Sequence, residues 1–304
     1  MKDTERLRML ERPSGKIDVV LDTDAFNEID DQFAISYLLA CPERLNTLAL
    51  TAAPFLNKKA ASAGEGMEKS YQEILKLLSL MEGRHQPPVL RGSDRFLPDE
   101  THPVASDAAA RIAELAMAHS SENPLYVAAI GAITNVASAL LLQPEIAERM
   151  VVVWLGGHAL HYTNNKEFNL YQDIAAARVV FGSGVPLVML PCHGVVDVFT
   201  LSKADLETWF IGKNPLCDYL ARNAIREAES YAAGTPWTRV IWDVTAVGWL
   251  LDGEGRFMAD RLTPRPMPEY DHRWAQDPCA PLCRYVYHIR RDALMQDLIR
   301  RLTA

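Results

Sequence analysis

The sequence predicts an α/β fold, a doubly wound and mostly parallel sheet with its ligand site open at the carboxyl ends of the strands. Apolar runs of strand length alternate with segments of helical period: Ile17 to Leu21, Leu48 to Ala53, Leu125 to Ile130, Val151 to Leu155 and Pro186 to Leu190. Runs of this kind, apolar almost throughout, belong to strands covered on both faces by helices. Polar clusters follow the runs, at Asp22 to Asp31, Asn57, Thr134-Asn135 and the loop after Gly157. Ligands bind at such places in sheets of this class. No internal repeat or linker interrupts the 304 residues, so one large domain is expected.

The first run, Ile17-Asp18-Val19-Val20-Leu21, is rich in β-branched residues and reads as a buried strand. Asp22 and Asp24, two apart at its end, project the same way. Phe33, Ala34, Tyr37, Leu38 and Cys41 then recur at helical spacing, which puts Asp30 and Asp31 at or beside a helix start, where the amide dipoles favour negative charge. Four carboxylates converging on one crevice repel one another unless some protonate or a cation sits between them. A lone acidic turn reads more readily as a helix cap and a solvated loop than as an ion site. The second pair behind a buried strand favours the cation. Oxygen ligands without nearby Cys or His select Ca²⁺ or Mg²⁺, and a flexible carboxylate set suits Ca²⁺ better.

The remaining elements follow in order. Leu48 to Ala53 is a strand ending at Pro54-Phe55-Leu56-Asn57, and a helix is expected from about 58 to 81 with Ile74, Leu75, Leu77 and Leu78 on its apolar stripe. Pro87 to Leu90 is a short strand, 91–104 a surface loop and 106–118 a helix. Leu125 to Ile130 leads into Gly131-Ala132-Ile133-Thr134-Asn135 and a helix from Val136 to Leu142. Lys203 to Ser230 reads as helical with a break at Pro215, Tyr231 to Arg239 as a mobile loop near the site, and Arg284 to His288 as a strand before a basic terminal helix.

Composition narrows the partners. A formal net charge of −8 and a pI near 5.5 leave no electrostatic footprint for polymeric nucleic acid or an anionic membrane. No apolar run reaches the roughly 18 residues of a membrane span, and the charged start Met1-Lys2-Asp3-Thr4-Glu5-Arg6 lacks the apolar core of a secretory signal. Cys41, Cys192, Cys217, Cys279 and Cys283 are odd in number and lack zinc-like double pairs, so a reducing compartment, the cytoplasm, is expected.

Three segments together resemble the nucleoside hydrolases of the inosine-uridine type, calcium enzymes that split ribonucleosides into base and ribose. Asp22-Thr23-Asp24 and Asp30-Asp31 are similar to that family's D-x-D-P-G-x-D-D, with Ala25-Phe26-Asn27-Glu28-Ile29 making the turn two residues longer. Gly131-Ala132-Ile133-Thr134-Asn135-Val136-Ala137 resembles its G-P-L-T-N-I-A, and Glu167-Phe168-Asn169-Leu170-Tyr171-Gln172-Asp173 its E-F-N-x-x-x-D. The resemblance implies a single domain of that type over 1–304, with a helical region at about 203–260 covering the site. It implies that Asp24 bridges the ion and the attacking water and acts as general base. Asp31, the carbonyl of Thr134 and Asp243 would complete the protein ligands, with Asp22 orienting the cluster. Asp30 would bind a ribose hydroxyl, and Glu167 and Asn169 would hold the sugar. A homodimer or homotetramer is implied as well.

Departures from the pattern carry information too. Trp242 precedes Asp243 where many members have a histidine, and an indole cannot act as an acid; the Trp-Asp pair is similar to the purine-preferring branch, in which it stacks on the base. His161 stands six residues before Glu167, where the family has an asparagine, so His161 or Asn164 is expected at the sugar's 5′ end, and Asn57 near a post-strand contact. His193, after the run ending at Leu190, is placed to reach the pocket, although a lone His is more often packed or solvated. A haloacid-dehalogenase-like phosphatase using Mg²⁺ also begins with a strand and D-x-D, but it gives Asp30-Asp31 no role. A calcium-dependent nucleoside- or sugar-binding protein without turnover is the other alternative.

Overall fold

The computed structural model describes residues 1–304. After a short helix α1 (Asp3–Met9), the chain lays down β1 (Ile17–Thr23), α2 (Asp30–Leu39), β2 (Leu45–Ala52), α3 (Ala63–Ser79) and β3 (Val89–Arg91). It continues with α4 (Asp107–Met117), β4 (Leu125–Ala129), α5 (Thr134–Leu142) and β5 (Met150–Leu155). Two short helices, α6 (Phe168–Gln172) and α7 (Ile174–Gly182), precede β6 (Leu187–Leu190). An excursion follows through β7 (Thr200–Ser202), α8 (Lys203–Trp209), α9 (Pro215–Ala232), β8 (Thr238–Val240) and α10 (Val244–Leu251). The chain closes with β9 (Met258–Pro264), the ribbon β10 (Met267–Pro268) and β11 (Trp274–Ala275), then β12 (Leu282–Ile289) and α11 (Arg291–Thr303).

Eight strands form one sheet in the order β3-β2-β1-β4-β5-β6-β12-β9. All pairings are parallel except β12 with β9, so the sheet is mixed only at one edge. Strand periodicity divides the apolar residues between two cores: Val19, Leu21, Val151 and Val153 face the layer containing α2, α10 and α11, while Val20, Val152 and Trp154 face α4, α5 and α7. Side-chain caps start the long helices, Ser62 for α3, Ser106 for α4 and Asn214 with Pro215 for α9. The cap of α3 corrects the expected helix start near residue 58. The segment expected as a loop to Arg239 ends instead in β8, which pairs antiparallel with β7. None of the helices is long and apolar enough to cross a membrane.

Strand order reverses between β1 and β4, and a crevice opens at such a point beyond the carboxyl ends of both strands. The acidic turn after β1 and the Gly131–Thr134 turn after β4 flank it.

Candidate active site

Asp30 and Asp31 are the first two residues of α2, and neither is its cap: Ile29 holds that position and offers no side-chain bond. Asp243 occupies the cap position of α10, yet its carboxylate makes no capping bond either. Freed from these local duties, the three carboxylates each bring one oxygen within 4.8 Å of the others, and all are buried. Asp24 lines the same cavity. Gly131 lets the β4 turn come this close, since a Cβ there would meet Asp24 Oδ1 at 3.1 Å.

Asp22 sits behind the cavity wall. Its Oδ1 accepts from Thr51 Oγ1 at 2.7 Å and from Asn135 Nδ2 at 2.8 Å. Burial, partly offset by these two bonds, pushes its carboxyl up to about 6. Burial also raises Asp31 to about 7 against the lowering effect of Thr23 and Asp243. Asp24, Asp30 and Asp243 are raised by burial first and then by neighbouring carboxylates, Asp31 foremost for Asp24, Glu28 for Asp30 and Asp30 for Asp243. Asp22 Oδ2, Asp24 Oδ2 and Asp30 Oδ1 are buried without any hydrogen-bond partner. Orphaned buried carboxylate oxygens in a cluster are costly in isolation, and an all-oxygen donor set fits a hard divalent cation.

The opposite wall is ordered by backbone hydrogen bonds. Glu167 caps α6: Oε2 accepts from the Gly157 and Leu170 amides at 2.8 and 3.0 Å, Oε1 from the Asn169 amide at 2.9 Å. Asn169 Nδ2 donates to the carbonyls of Ile130 and Leu155 at 3.2 and 3.1 Å, which leaves its Oδ1 for the cavity. Trp242 is half-buried at the mouth. The cavity encloses about 260 Å³, close to the lower end of small-molecule sites, roughly 300–1,000 Å³, and far from a polymer groove.

A family model described as inosine-uridine preferring nucleoside hydrolase matches residues 19–277. The chain belongs to that family. Nucleoside hydrolases are metal-dependent, and the activity that comes with membership is hydrolysis of the N-glycosidic bond of ribonucleosides. Curated relatives include the pyrimidine-specific ribonucleoside hydrolase RihA of Salmonella paratyphi A, 26% identical over 263 residues, covering 78% of this chain and 80% of its own. The non-specific ribonucleoside hydrolase RihC of Salmonella agona is 28% identical over 266 residues, with 79% and 80% covered. Among solved structures, the purine-preferring ribonucleoside hydrolase from Gardnerella vaginalis superposes with a TM-score of 0.75 at 18% identity, covering 94% of this chain and 98% of that one. A plant nucleoside hydrolase gives 0.73 at 21%, with 95% and 99% covered. These superpositions show the nucleoside hydrolase fold.

Within this nucleoside hydrolase, the cavity gathers Asp24, Asp30, Asp31, Glu167, Asn169, Trp242 and Asp243. Thr134 begins α5 just outside the cavity lining, with its hydroxyl donated to Asp173 Oδ2 at 2.7 Å. Asp173 also accepts the Leu97 amide and caps α7, which ties the second and third motifs together as scaffold. Asn57, His161 and Asn164 lie outside the cavity wall. Asn57 Nδ2 donates to Asn27 Oδ1 at 2.7 Å and braces that residue, which does line the cavity. His161 faces a neighbouring hollow with Arg261 and Tyr287, and Asn164 is exposed with its Oδ1 on the Lys166 amide. The reason is the path of the loop after β5, where His158 turns inward and buried Asn165 accepts the His158 amide at 2.6 Å.

Some wall residues, Asn27, Glu28 and His158 among them, are not singled out by the sequence. Asn27 and Glu28 come from the lengthened first turn, and Glu28 is ion-paired with Arg239 of β8 at 2.9 Å. His158 and His193 follow β5 and β6, so the strand-end rule that singled out Asp24 applied to them as well.

Proposed function

We propose that this chain hydrolyses ribonucleosides, with purine nucleosides favoured, using Asp24 as general base and Ca²⁺ as its ion. The observation that carries the reading is one cavity in which Asp24, Asp30, Asp31 and Asp243 face Glu167, Asn169 and Trp242. Asp24, Asp31, Asp243 and the Thr134 carbonyl would hold the ion, with Asp22 orienting them from behind. Bound there, calcium supplies charge neutralisation and polarises water.

Asp24 takes the proton of the water that attacks C1′. Beside the ion its carboxylate is held in the charged form, which is the form that accepts a proton. The C1′–N bond breaks through an oxocarbenium-like state, and the fixed carboxylates around the ribose stabilise its developing positive charge. Asp30 accepts a ribose hydroxyl. Glu167 and Asn169 do the same with the lone pairs their backbone bonds leave free. Trp242 offers its indole face to the base, and the segment 203–260 closes that side of the site. The five cysteines are all free thiols, which suits the cytoplasm, and a homodimer or homotetramer is the expected assembly, readable by light scattering.

A product assay over a nucleoside panel tests the reading. Base and ribose should appear in equal amounts, fastest from purines, with loss under a chelator and recovery with calcium. Tight binding without base release would make it a binding protein instead, and phosphate release from p-nitrophenyl phosphate would restore the phosphatase alternative.

A further inference from the structure

Three aromatic rings from three separate segments meet at the cavity mouth, and two of them are imidazoles. His193 lies perpendicular to Trp242, with ring centroids 5.3 Å apart and an interplanar angle of 89°. His158 lies 4.8 Å from His193, centroid to centroid. The cluster is built rather than incidental. The Ala159 amide donates to the His193 carbonyl at 3.0 Å, the Cys192 amide to the Gly157 carbonyl at 2.8 Å, and Trp274 Nε1 to the His158 carbonyl at 3.1 Å. Gly194, at φ +88°, turns the chain so that Asp197 Oδ2 accepts the Gly194 amide at 2.9 Å and comes within 3.6 Å of His193 Nδ1. A side chain at 194 would also strike Tyr162, Ala159 and His161.

We propose that His193, held between Asp197 and Trp242, gives the departing base its proton. The assignment rests on the N-ribosyl hydrolysis proposed above. A nucleobase leaves poorly as an anion, and protonating a ring nitrogen as the C1′–N bond breaks removes that obstacle. Trp242 has an N–H but no acid to offer. His158 is unsuited: burial first, then the His193 charge, push it down to about 4, and its Nδ1 is buried without a partner. His193 is half-exposed, so it recovers its proton from solvent, and its Nδ1 lies 3.6 Å from Asp197 Oδ2. The other titratable groups around it are His158, His161 and Tyr162 of the loop after β5; Trp242 brings no charge.

The step balances. Water oxygen bonds to C1′ and its proton goes to Asp24; the C1′–N electron pair goes to the base; the proton on His193 Nε2, the nitrogen turned away from Asp197, goes to a ring nitrogen of the base. Asp24 and His193 then exchange their protons with solvent.

The test compares an ordinary nucleoside with p-nitrophenyl β-D-ribofuranoside, whose phenolate departs without a proton. In His193→Ala the ratio of nucleoside to aryl riboside kcat should fall by roughly 10²–10⁴, and the alkaline limb of the nucleoside pH profile should vanish. Asp197→Asn, which loosens the hold on His193, should lower the same ratio by less than His193→Ala does. An equal fall on both substrates, or no fall on the nucleoside, overturns the assignment and leaves the hydrolase reading standing. Failure of the unaltered protein on both substrates overturns the hydrolase reading and this assignment with it. Thermal melting confirms that the variants fold.

Discussion

Thr23, the last residue of β1, donates its hydroxyl to Asp31 Oδ1 at 2.5 Å and so joins the strand end to the first turn of α2 across the acidic loop. The bond aims one oxygen of Asp31 and leaves the other for the cavity. A hydrogen bond to a charged group contributes about 1.5–3 kcal/mol. Thr23→Val, of similar shape, should therefore weaken calcium binding by roughly ten- to a hundredfold while the chain still folds. Calorimetric titration measures this, and unchanged affinity would remove Thr23 from the site.

Asp24→Asn should lower kcat by roughly 10²–10⁴ with little loss of thermal stability. In chelator the variant should melt no lower than the unaltered protein, because one of the mutually repelling buried carboxylates is gone. Near-full turnover would contradict the assigned base.

Stability without metal should depend on pH in a defined direction. Asp22 at about 6 and Asp31 at about 7 lie above the usual carboxylate value of 3.8. Between about pH 4 and 7 the metal-free folded chain thus binds more protons than the unfolded chain, and stability falls as pH rises through that window. Calcium holds these groups charged, so the gap in Tm between calcium and chelator should widen from pH 4 to pH 7. A gap that stays constant would show that the cluster does not bind the ion.

Trp242→Ala should cost about 1–3 kcal/mol in purine nucleoside binding and leave inhibition by free ribose nearly unchanged. Equal losses for both would place the indole in the scaffold, against the base-stacking role.

Glu167 has two duties, because its oxygens cap α6 and face the cavity. Glu167→Ala should lower stability by about 0.5–2 kcal/mol and also raise KM. Melting and kinetics on one preparation separate the two effects, and a stability loss with unchanged KM would leave only the cap.

The sequence by itself determined the fold class, the acidic turn at the end of β1 and the family, because these depend on local periodicity and on residues close together in the chain. It placed Asp30 and Asp31 at the start of α2, since a strand, a turn and a helical stripe are all encoded within Ile17 to Cys41. Only the tertiary structure decided which loop residues reach the cavity. His158 lines it while His161, three residues on, faces another hollow, and no periodicity distinguishes them in a loop. Asn57 became a brace for Asn27 because β1 and β2 end side by side, and His193 joined Trp242 because the β7–β8 ribbon returns the chain to the loop after β6. Those meetings are set by sheet order and burial, which act over distances the linear pattern does not record.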